Sequence, residues 1–315
     1  MVKLSQPRGG SLQFWPRKRI DRRIPGVNWD AIKTEKKGLL GFLAYKVGMA
    51  SAFVKDLTPN SMTKDKKIIL SSTILEIPAM KIFSIRFYKN NKIKNELVVS
   101  DDKELKRRLK IGKKKEHKIE DVKDYDDIKV IVYSLTRQTG IKKTPDIAEV
   151  ALGGSLDEKL SFVKEKSGKE IFGHELLKDM KIIDIRGLTK GKGLQGAIQR
   201  FGIKLRQHKT EKGQRRPGTL GPWHPAHVSF RVPQAGQLGL FTRIIYNNKI
   251  LSFGKISEKD INPKSGWKNF GKIKTEYLIL QGSVQGASKR PLLLTSHLRT
   301  SKKQIKKNYE FLGLK

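Results

Sequence analysis

"GLLGFLAYKVGMASAFVKDL", residues Gly38 to Leu57, is a run of apolar and small side chains that predicts two β-strands separated at Gly48. "KIILSSTILEI", Lys67 to Ile77, predicts the next strand. Further strands are predicted after a long middle section, at Lys181 to Leu188, at Leu238 to Ile256 with a hairpin at Asn247-Asn248, and at Tyr277 to Val284. Several short strands punctuated by Gly and Asn favour a closed β-barrel, which we assign to residues 38–77 and 180–285.

The middle section, residues 78–179, predicts an α/β domain inserted in the barrel. Three β-branched or aromatic stretches predict its strands: Met80 to Tyr88, Asp127 to Leu135, and Pro145 to Leu152. Because predicted barrel strands lie on both sides of this section, an insertion is the simplest topology. The chain is therefore expected to be mainly β with an α/β insertion.

Two capping boxes predict helices inside this domain. Asp101 with Glu104 predicts the start of one helix, and Ser155 with Glu158 predicts the start of another. The second helix carries apolar residues on one face and is expected to end near Ser167.

The chain of 315 residues carries a formal net charge of +37, and the excess is unevenly distributed. Residues 78–179 hold 24 basic and 18 acidic side chains, which is an ordinary solvated surface, and "KKKEHK" at 113–118 is expected to be an exposed helix face or loop. From Ile185 to Ser257, Glu211 is the only carboxylate against 14 Lys and Arg. The basic segments are a tail at 1–37, a loop at 200–235 and a C-terminal segment at 286–315.

A positive charge of this size repels itself, so a polyanionic partner is expected. Nucleic acid is favoured because each bound phosphate releases counterions. An acidic membrane surface is the alternative, but such binding usually needs a basic amphipathic helix with a strong apolar face, which we do not find. Neither a run of about 18 apolar residues nor a signal peptide is present. The absence of cysteine excludes disulfides and thiolate metal sites and suits a reducing compartment.

A dinucleotide site is suggested by "TKGKGLQG", in which Gly191, Gly193 and Gly196 have the GxGxxG spacing. Glu211 even stands where the ribose-binding acid of such a fold would be. The context opposes this interpretation, because "RQHKTEKGQRR" is not the apolar strand that this acid should follow. We favour glycines that permit close backbone approach, to RNA for example, beside a short helix in "LQGAIQRFG".

Metal and catalytic sites have little support. His224 and His227 are usably spaced, but zinc needs three or four ligands and no carboxylate is near. The alternatives are contacts of the imidazoles with bases or phosphates, or ordinary buried histidines. Ser229 lies beside His227 with no acid to orient the ring, so neither a cofactor nor an enzyme is expected.

The N-terminal tail interleaves arginines with Phe14, Trp15 and Trp29. Its low apolar content favours an extended segment that orders on its partner, with guanidinium groups on phosphates and rings on bases. A disordered solubilising arm is the alternative, which would explain the charge but not the tryptophans.

A second aromatic anchor is expected at "GTLGPWHPAHVSF", Gly218 to Phe230. Seven basic residues lie between Arg200 and Arg216, and a stiff Pro-Trp-His-Pro turn then presents Trp223. A loop that follows phosphates and ends in a stacking ring would use all of these features. The alternative is that Trp223 packs back on the barrel.

The chain resembles the universal ribosomal protein L3 family in its archaeal and eukaryotic form. The resemblance covers essentially the whole chain and rests on "QPRGGSLQFWPRKR" (6–19), "GFLAYKVGM" (41–49), "TKGKGLQGAIQRFGIK" (189–204), "GTLGPWHPAHV" (218–228) and "GQLGLFTR" (236–243). It implies a translation-factor-like barrel with an inserted α/β domain, an N-terminal tail and an internal loop that both enter ribosomal RNA, and Trp223 near the peptidyl-transferase centre. Eukaryotic members carry a modified histidine twelve residues before this tryptophan, where Glu211 stands here, so that modification is not expected.

The resemblance further implies a structural, non-catalytic component of the large subunit in the cytoplasm. Its partners would be large-subunit rRNA and neighbouring ribosomal proteins, with neither membrane nor small-molecule substrate. A free RNA-binding translation factor and an RNA-modifying enzyme are the other classes considered. The residues expected to contact RNA are Arg8, Trp15, Arg17, Lys18, Arg19, Arg22, Arg23, Lys190, Lys192, Arg200, Lys204, Arg206, His208, Lys209, Arg215, Arg216, Trp223, His224, His227, Arg231, Lys289 and Arg290.

Overall fold

The structure, a computed structural model, describes residues 14–32, 34, 36–110, 119, 122, 124–177 and 180–315. Arg8 and the segment 113–118 lie outside the described residues. The chain divides into two compact units. The smaller unit comprises residues 1–22 and 189–242, and the larger unit comprises 23–188 and 243–315.

The described fold is mainly β. In chain order its strands are β1 Gly38–Leu39, β2 Gly41–Asp56, β3 Lys67–Ile77, β4 Met80–Lys89, β5 Lys92–Val98, β6 Asp127–Ser134, β7 Ile147–Gly153, β8 Ile182–Leu188, β9 Gly193–Gln195, β10 Gly236–Leu238, β11 Thr242–Lys255, β12 Glu276–Gln281, β13 Pro291–Thr295 and β14 Tyr309–Leu314. The α-helices are α1 Thr136–Thr139, α2 Leu156–Lys166, α3 Gly173–Leu177, α4 Ala197–Phe201 and α5 Lys302–Lys306, and a 3₁₀ turn lies at Leu105–Arg107.

The largest sheet has the strand order β13-β8-β11-β12-β3-β2-β14, and β13 also pairs with β2. Its first six strands therefore form a ring. β2 makes this possible because it is 16 residues long. One of its edges pairs with β13 through Gly41–Tyr45 and with β14 through Ala52–Asp56, while the other edge pairs with β3.

Two expected interruptions of these strands are wrong. β2 runs past Gly48 without a break, because a bulge between Lys46 and Gly48 shifts its register against β3 and the pairing continues. β11 likewise continues through Asn247-Asn248 instead of forming a hairpin. Asn247 has a positive φ of 54°, and its amide N–H donates to Asp184 Oδ1 (2.7 Å).

The basic segment 286–315 contains two strands that the sequence analysis missed. β13, "PLLLT", is buried throughout, so it lacks the alternation of a half-exposed strand. It closes the ring by pairing with β2 and β8. β14, "YEFLGL", extends the sheet along β2.

The second sheet has the order β1-β7-β6-β4-β5 and contains the three strands predicted for the middle section. The Ser155 capping box is confirmed: Ser155 Oγ accepts from the Glu158 amide (3.4 Å) and Glu158 Oε2 accepts from the Ser155 amide (3.0 Å). The box predicted at Asp101 and Glu104 is wrong, because only a 3₁₀ turn without a side-chain cap follows. Glu104 instead pairs with Arg137, with 3.1 Å between Oε1 and Nε.

One apolar cluster joins the two sheets of the larger unit. It includes Phe42 and Leu43 of β2 together with Ile82 of β4 and Val130 of β6, all fully buried. Each such side chain stabilises the fold by about 1.5 to 3 kcal/mol relative to an exposed one. The ring and the five-stranded sheet therefore share a core.

A polar cluster lies beside this core and also links the sheets. Asp146 is fully buried, and its Oδ2 accepts from the Tyr45 hydroxyl (2.7 Å) and from the Lys142 ammonium. Arg108 Nη1 lies 3.3 Å from Asp146 Oδ1. The Tyr45 hydroxyl also lies 2.7 Å from Ser134 Oγ. Burial and the neighbouring Asp146 carboxylate raise the pKa of Tyr45 well above its ordinary value, so this hydroxyl stays a donor.

Candidate nucleic-acid interface

The basic loop begins and ends at a short two-stranded sheet in the smaller unit. β9 and β10 pair antiparallel, and the pairing continues through a hydrogen bond from the Lys192 amide to the Leu238 carbonyl oxygen (3.0 Å). A Cβ on Gly239, whose φ is +76°, would lie 2.0 Å from the Lys190 carbonyl oxygen. The glycines here allow two stretches of this chain to approach each other, and we call the paired stretches 189–195 and 236–241 the neck.

Arg200, at the end of α4, holds three backbone segments together. Its Nη1 donates to the Gln234 carbonyl oxygen (3.1 Å) and its Nε to that of Gln237 (3.1 Å). Its Nη2 donates to the Arg17 carbonyl oxygen (3.4 Å), and Arg17 Nη1 donates back to the Arg200 carbonyl oxygen (2.9 Å). Arg200 therefore fixes the loop to the neck and the N-terminal tail to both.

The tail is also held by rings. Trp15 and Phe201 lie with their centroids 5.2 Å apart at an interplanar angle of 40°. The Arg17 guanidinium carbon lies 4.5 Å from the Phe201 centroid and 5.1 Å from that of Trp15. Trp15, Arg17 and Arg200, which the sequence assigned to RNA, thus have partners within the chain, and the half-buried Phe201 is a partner that the sequence analysis missed.

Replacing Arg200 with glutamine should loosen the neck. Three carbonyl oxygens lose a charged donor, and hydrogen bonds of this type contribute about 1.5 to 3 kcal/mol each. We expect amide hydrogen exchange at Lys192 and Leu238 to become at least about tenfold faster in the free protein.

Lys204→Gln is the matched control for Arg200→Gln. It removes the same charge from an exposed side chain of the same loop. Equal exchange rates in the two variants would contradict the role assigned to Arg200.

The segment that follows α4 is a hairpin-like loop held by two side chains. The Arg206 amide donates to the Gln214 carbonyl oxygen (3.2 Å), and its guanidinium donates to the Pro217 carbonyl oxygen. Gln214 Nε2 donates to the His208 carbonyl oxygen (3.3 Å). Arg206, which the sequence predicted to contact RNA, is therefore hydrogen-bonded within the chain.

Several cationic side chains of this loop are exposed and are available to a partner. They are Lys204, Lys209, Lys212, Arg215 and Arg216. Glu211, the one acid, is exposed as well, and within the described residues it forms no ion pair with Lys209 or Lys212. The loop surface is therefore strongly positive.

Trp223 is 87% exposed, which contradicts the alternative that it packs on the strands of the fold. His224 and His227 are exposed on either side of Pro225, so they are not buried structural histidines. Phe230 is also 59% exposed. Apolar rings on a charged loop are an unfavourable surface in water and favour a partner that offers stacking.

A family model described as Ribosomal protein L3 matches residues 1–312. The chain belongs to the ribosomal protein L3 family. Curated relatives named "Large ribosomal subunit protein uL3" agree with this. The one from Methanocaldococcus jannaschii is 35% identical, over 97% of this chain and 95% of its own length. The one from Pyrobaculum calidifontis is 37% identical, over 96% and 94% respectively.

Membership of the L3 family makes the chain a structural ribosomal protein and not an enzyme. Among the described residues, no group of three or more His, Asp or Glu side chains could hold a metal ion. No helix in the described part of the chain is long and apolar enough to span a membrane.

The remaining candidate RNA ligands of this L3-family chain fall in both units. Those in the smaller unit are mostly exposed: Lys18, Arg19, Arg22, Lys190, Lys192 and Arg231. Arg23 and Lys289 are exposed in the larger unit, and Arg290 is half-buried there. The Lys46 amide donates to the Arg290 carbonyl oxygen (3.1 Å), and the Lys289 amide donates to the Lys46 carbonyl oxygen (2.8 Å), so the backbone of this pair is fixed against β2.

Proposed function

We propose that the chain is a structural constituent of the large ribosomal subunit that binds large-subunit rRNA through its tail and its basic loop. In this proposal the ring of strands is the closed barrel, and the five-stranded sheet belongs to the α/β domain inserted in that barrel. The observation that carries this proposal is the exposed Trp223 on a loop rich in exposed cations.

Charge supports a nucleic-acid partner for the smaller unit. Its described residues hold 14 Lys and Arg against Asp21 and Glu211. Each phosphate that such side chains neutralise releases counterions, and this release supplies much of the binding free energy. The side chains that are not used inside the chain, such as Lys209 and Arg215, are the ones we expect on phosphates.

Aromatic exposure supports a contact with unpaired bases. A ring stacked on a base contributes about 1 to 3 kcal/mol, and the ring needs no sequence-specific hydrogen bond. Trp223 is presented between Pro222 and Pro225 on a stretch that is exposed throughout. In this proposal Trp223 would lie near the peptidyl-transferase centre, and the chain would support the geometry of that RNA without taking part in proton transfer.

The other partners follow from the same proposal. Neighbouring large-subunit proteins would contact the chain in the cytoplasmic particle, and it would support assembly of the subunit. A structural constituent should co-sediment with the large subunit after a high-salt wash. Release of the chain under those conditions would indicate a dissociable translation factor.

Trp223→Ala tests the proposed RNA contact. Because the ring makes few contacts in the free protein, the Tm of the variant should differ from that of the wild type by less than about 1 °C. Ribosomes carrying the variant should assemble, and their peptidyl-transfer rate or tRNA binding should change, in line with the loss of about 1 to 3 kcal/mol of stacking.

Trp29→Ala is the matched control, because Trp29 is only 6% exposed and belongs to the core. That variant should lose about 3 to 5 kcal/mol of stability. A large drop in Tm for Trp223→Ala, together with normal peptidyl transfer, would overturn the proposed role of the tryptophan.

A further inference from the structure

Phe230 and Arg231 are the two central residues of a tight turn in the smaller unit. The Val232 amide donates to the Ser229 carbonyl oxygen (3.1 Å), which closes the turn. The Arg231 amide donates to the Ser229 hydroxyl oxygen (3.3 Å). Pro233 follows and disfavours helical backbone at Val232. The turn therefore holds a ring and a guanidinium side by side at a corner of the chain.

This turn lies close in sequence to a fixed point of the basic loop. Only Pro233 separates it from Gln234, whose carbonyl oxygen accepts from Arg200 Nη1 (3.1 Å). The proline ring fixes one of the backbone dihedrals between them. Arg200 also binds the neck through the Gln237 carbonyl oxygen (3.1 Å). The corner is therefore positioned by the folded part of the smaller unit.

The Phe230 ring is exposed and contacts a single cation. It is 59% exposed, and the Arg231 guanidinium carbon lies 5.7 Å from its centroid, within the range of a cation–π contact. Among the residues that the structure describes, no second cation and no aromatic ring packs on Phe230. One face of the ring is therefore available to a flat ligand.

Arg231 has no counter-charge in the described part of the chain. Its guanidinium forms neither a hydrogen bond nor an ion pair with a described residue, and the described acids of the smaller unit are Asp21 and Glu211. An apolar pocket of a protein partner would cover the ring but would leave the neighbouring charge without compensation. A nucleotide supplies a π-face for the ring and an anion for the guanidinium, so it fits both side chains.

We propose that Phe230 and Arg231 bind one unpaired nucleotide of RNA, with its base stacked on the Phe230 ring and its phosphate on the Arg231 guanidinium. Aromatic rings stack on any base, and the N–H groups of a guanidinium match phosphate oxygens in geometry and charge. The choice of RNA as the partner rests on the proposed function. The site is separate from Trp223 in sequence and adds a second aromatic contact to the loop.

Phe230→Leu tests the stacking contact on a large-subunit rRNA transcript. Leucine keeps an apolar side chain but has no π-face, so the affinity should fall at least about fivefold. The slope of log K against log salt should keep its wild-type value, because no phosphate contact is lost. Phe230→Tyr retains the ring and should bind as the wild type does.

Tyr246→Leu is the matched control, because it removes a ring that is 50% exposed on β11 in the larger unit. It should bind the transcript with wild-type affinity. The Tm of Phe230→Leu should lie within about 1 °C of that of the wild type, because the ring is exposed. Equal losses of affinity in Phe230→Leu and Tyr246→Leu would overturn the site.

Arg231→Gln tests the phosphate contact. It should lower the slope of log K against log salt by about 0.7 to 0.9, as expected for one phosphate. Because both side chains act on one nucleotide, the double variant Phe230→Leu, Arg231→Gln should lose less affinity than the product of the two single losses. Independent losses would contradict a shared nucleotide.

The outcomes for the site and for the proposed function are distinct. If the wild type binds the transcript and Phe230→Leu binds equally well, the site is overturned and the exposed ring is left to a protein partner, while the proposed function stands. If the wild type itself fails to bind the transcript, the proposed function and the nucleotide site are overturned together.

Discussion

Replacing Asp146 with alanine should lower the free energy of unfolding by about 3 to 5 kcal/mol. The variant leaves the Lys142 and Arg108 cations without their carboxylate and the buried Tyr45 hydroxyl without its acceptor. Burial already lowers the pKa of Lys142, so its charge is poorly solvated once Asp146 is gone. At about 2 °C per kcal/mol for a chain of this size, the Tm should fall by about 6 to 10 °C in thermal unfolding.

Asp30→Ala is the control for this prediction. Asp30 pairs with Lys129 at 3.3 Å, but its side chain is 63% exposed, so the loss should be under about 1 kcal/mol. Similar drops in Tm for the two variants would show that the buried cluster does not link the sheets as described. Asp146→Asn retains an acceptor for the Tyr45 hydroxyl, so its drop in Tm should lie between those of Asp146→Ala and Asp30→Ala.

Replacing five exposed loop cations with glutamine should abolish most of the rRNA affinity. The positions are Lys204, Lys209, Lys212, Arg215 and Arg216. If each contacts one phosphate, the slope of log K against log salt falls by about 3.5 to 4.5, and the affinity at 0.15 M salt falls by about a thousandfold. Titration of a large-subunit rRNA transcript at several salt concentrations measures both quantities.

The control for the loop variant removes the same charge from the larger unit. Its five positions are exposed lysines outside the proposed interface: Lys67, Lys92, Lys103, Lys169 and Lys272. Non-specific attraction alone would give both variants the same slope, and that result would contradict the assignment of the loop as the main RNA contact. Neither variant should alter the Tm by more than about 2 °C, because the side chains are exposed.

The elements that sequence analysis predicted well have a strong local signal. β4 is rich in β-branched and aromatic residues, and its bounds of Met80–Lys89 match the predicted strand closely, although Ile82 to Ile85 are all buried. α2 begins at a capping box whose two hydrogen bonds lie within four consecutive residues. In both cases the forces that form the element act between residues near in sequence.

The failures come from partners that are distant in sequence. The local sequence at Gly48 predicts a break, and that at Asn247-Asn248 predicts a hairpin. Pairing with neighbouring strands nevertheless keeps β2 and β11 continuous at these positions. β13 was missed because it is buried on both faces, and only its two partners, β2 and β8, make it a strand. Local pattern cannot reveal such pairings.

In the candidate interface, too, local features could be predicted from the sequence and long-range contacts could not. The exposure of Trp223 follows from local features, the two prolines and the absence of an apolar neighbourhood. The internal role of Arg200 could not be predicted, because its acceptors lie at Arg17, Gln234 and Gln237. From composition alone, an arginine that binds carbonyl oxygens is indistinguishable from one that binds phosphate.

Closure of the ring by β13 has a consequence for synthesis of the chain. β2 leaves the translating ribosome early, but the strand that completes its edge emerges about 240 residues later, which takes roughly 10 to 50 s at ordinary elongation rates. During that interval Phe42 and Leu43 belong to a strand with an open edge, which is prone to pair with another chain. Newly made chains should therefore need a chaperone until their last strands appear, and slowing elongation before β13 should increase their aggregation.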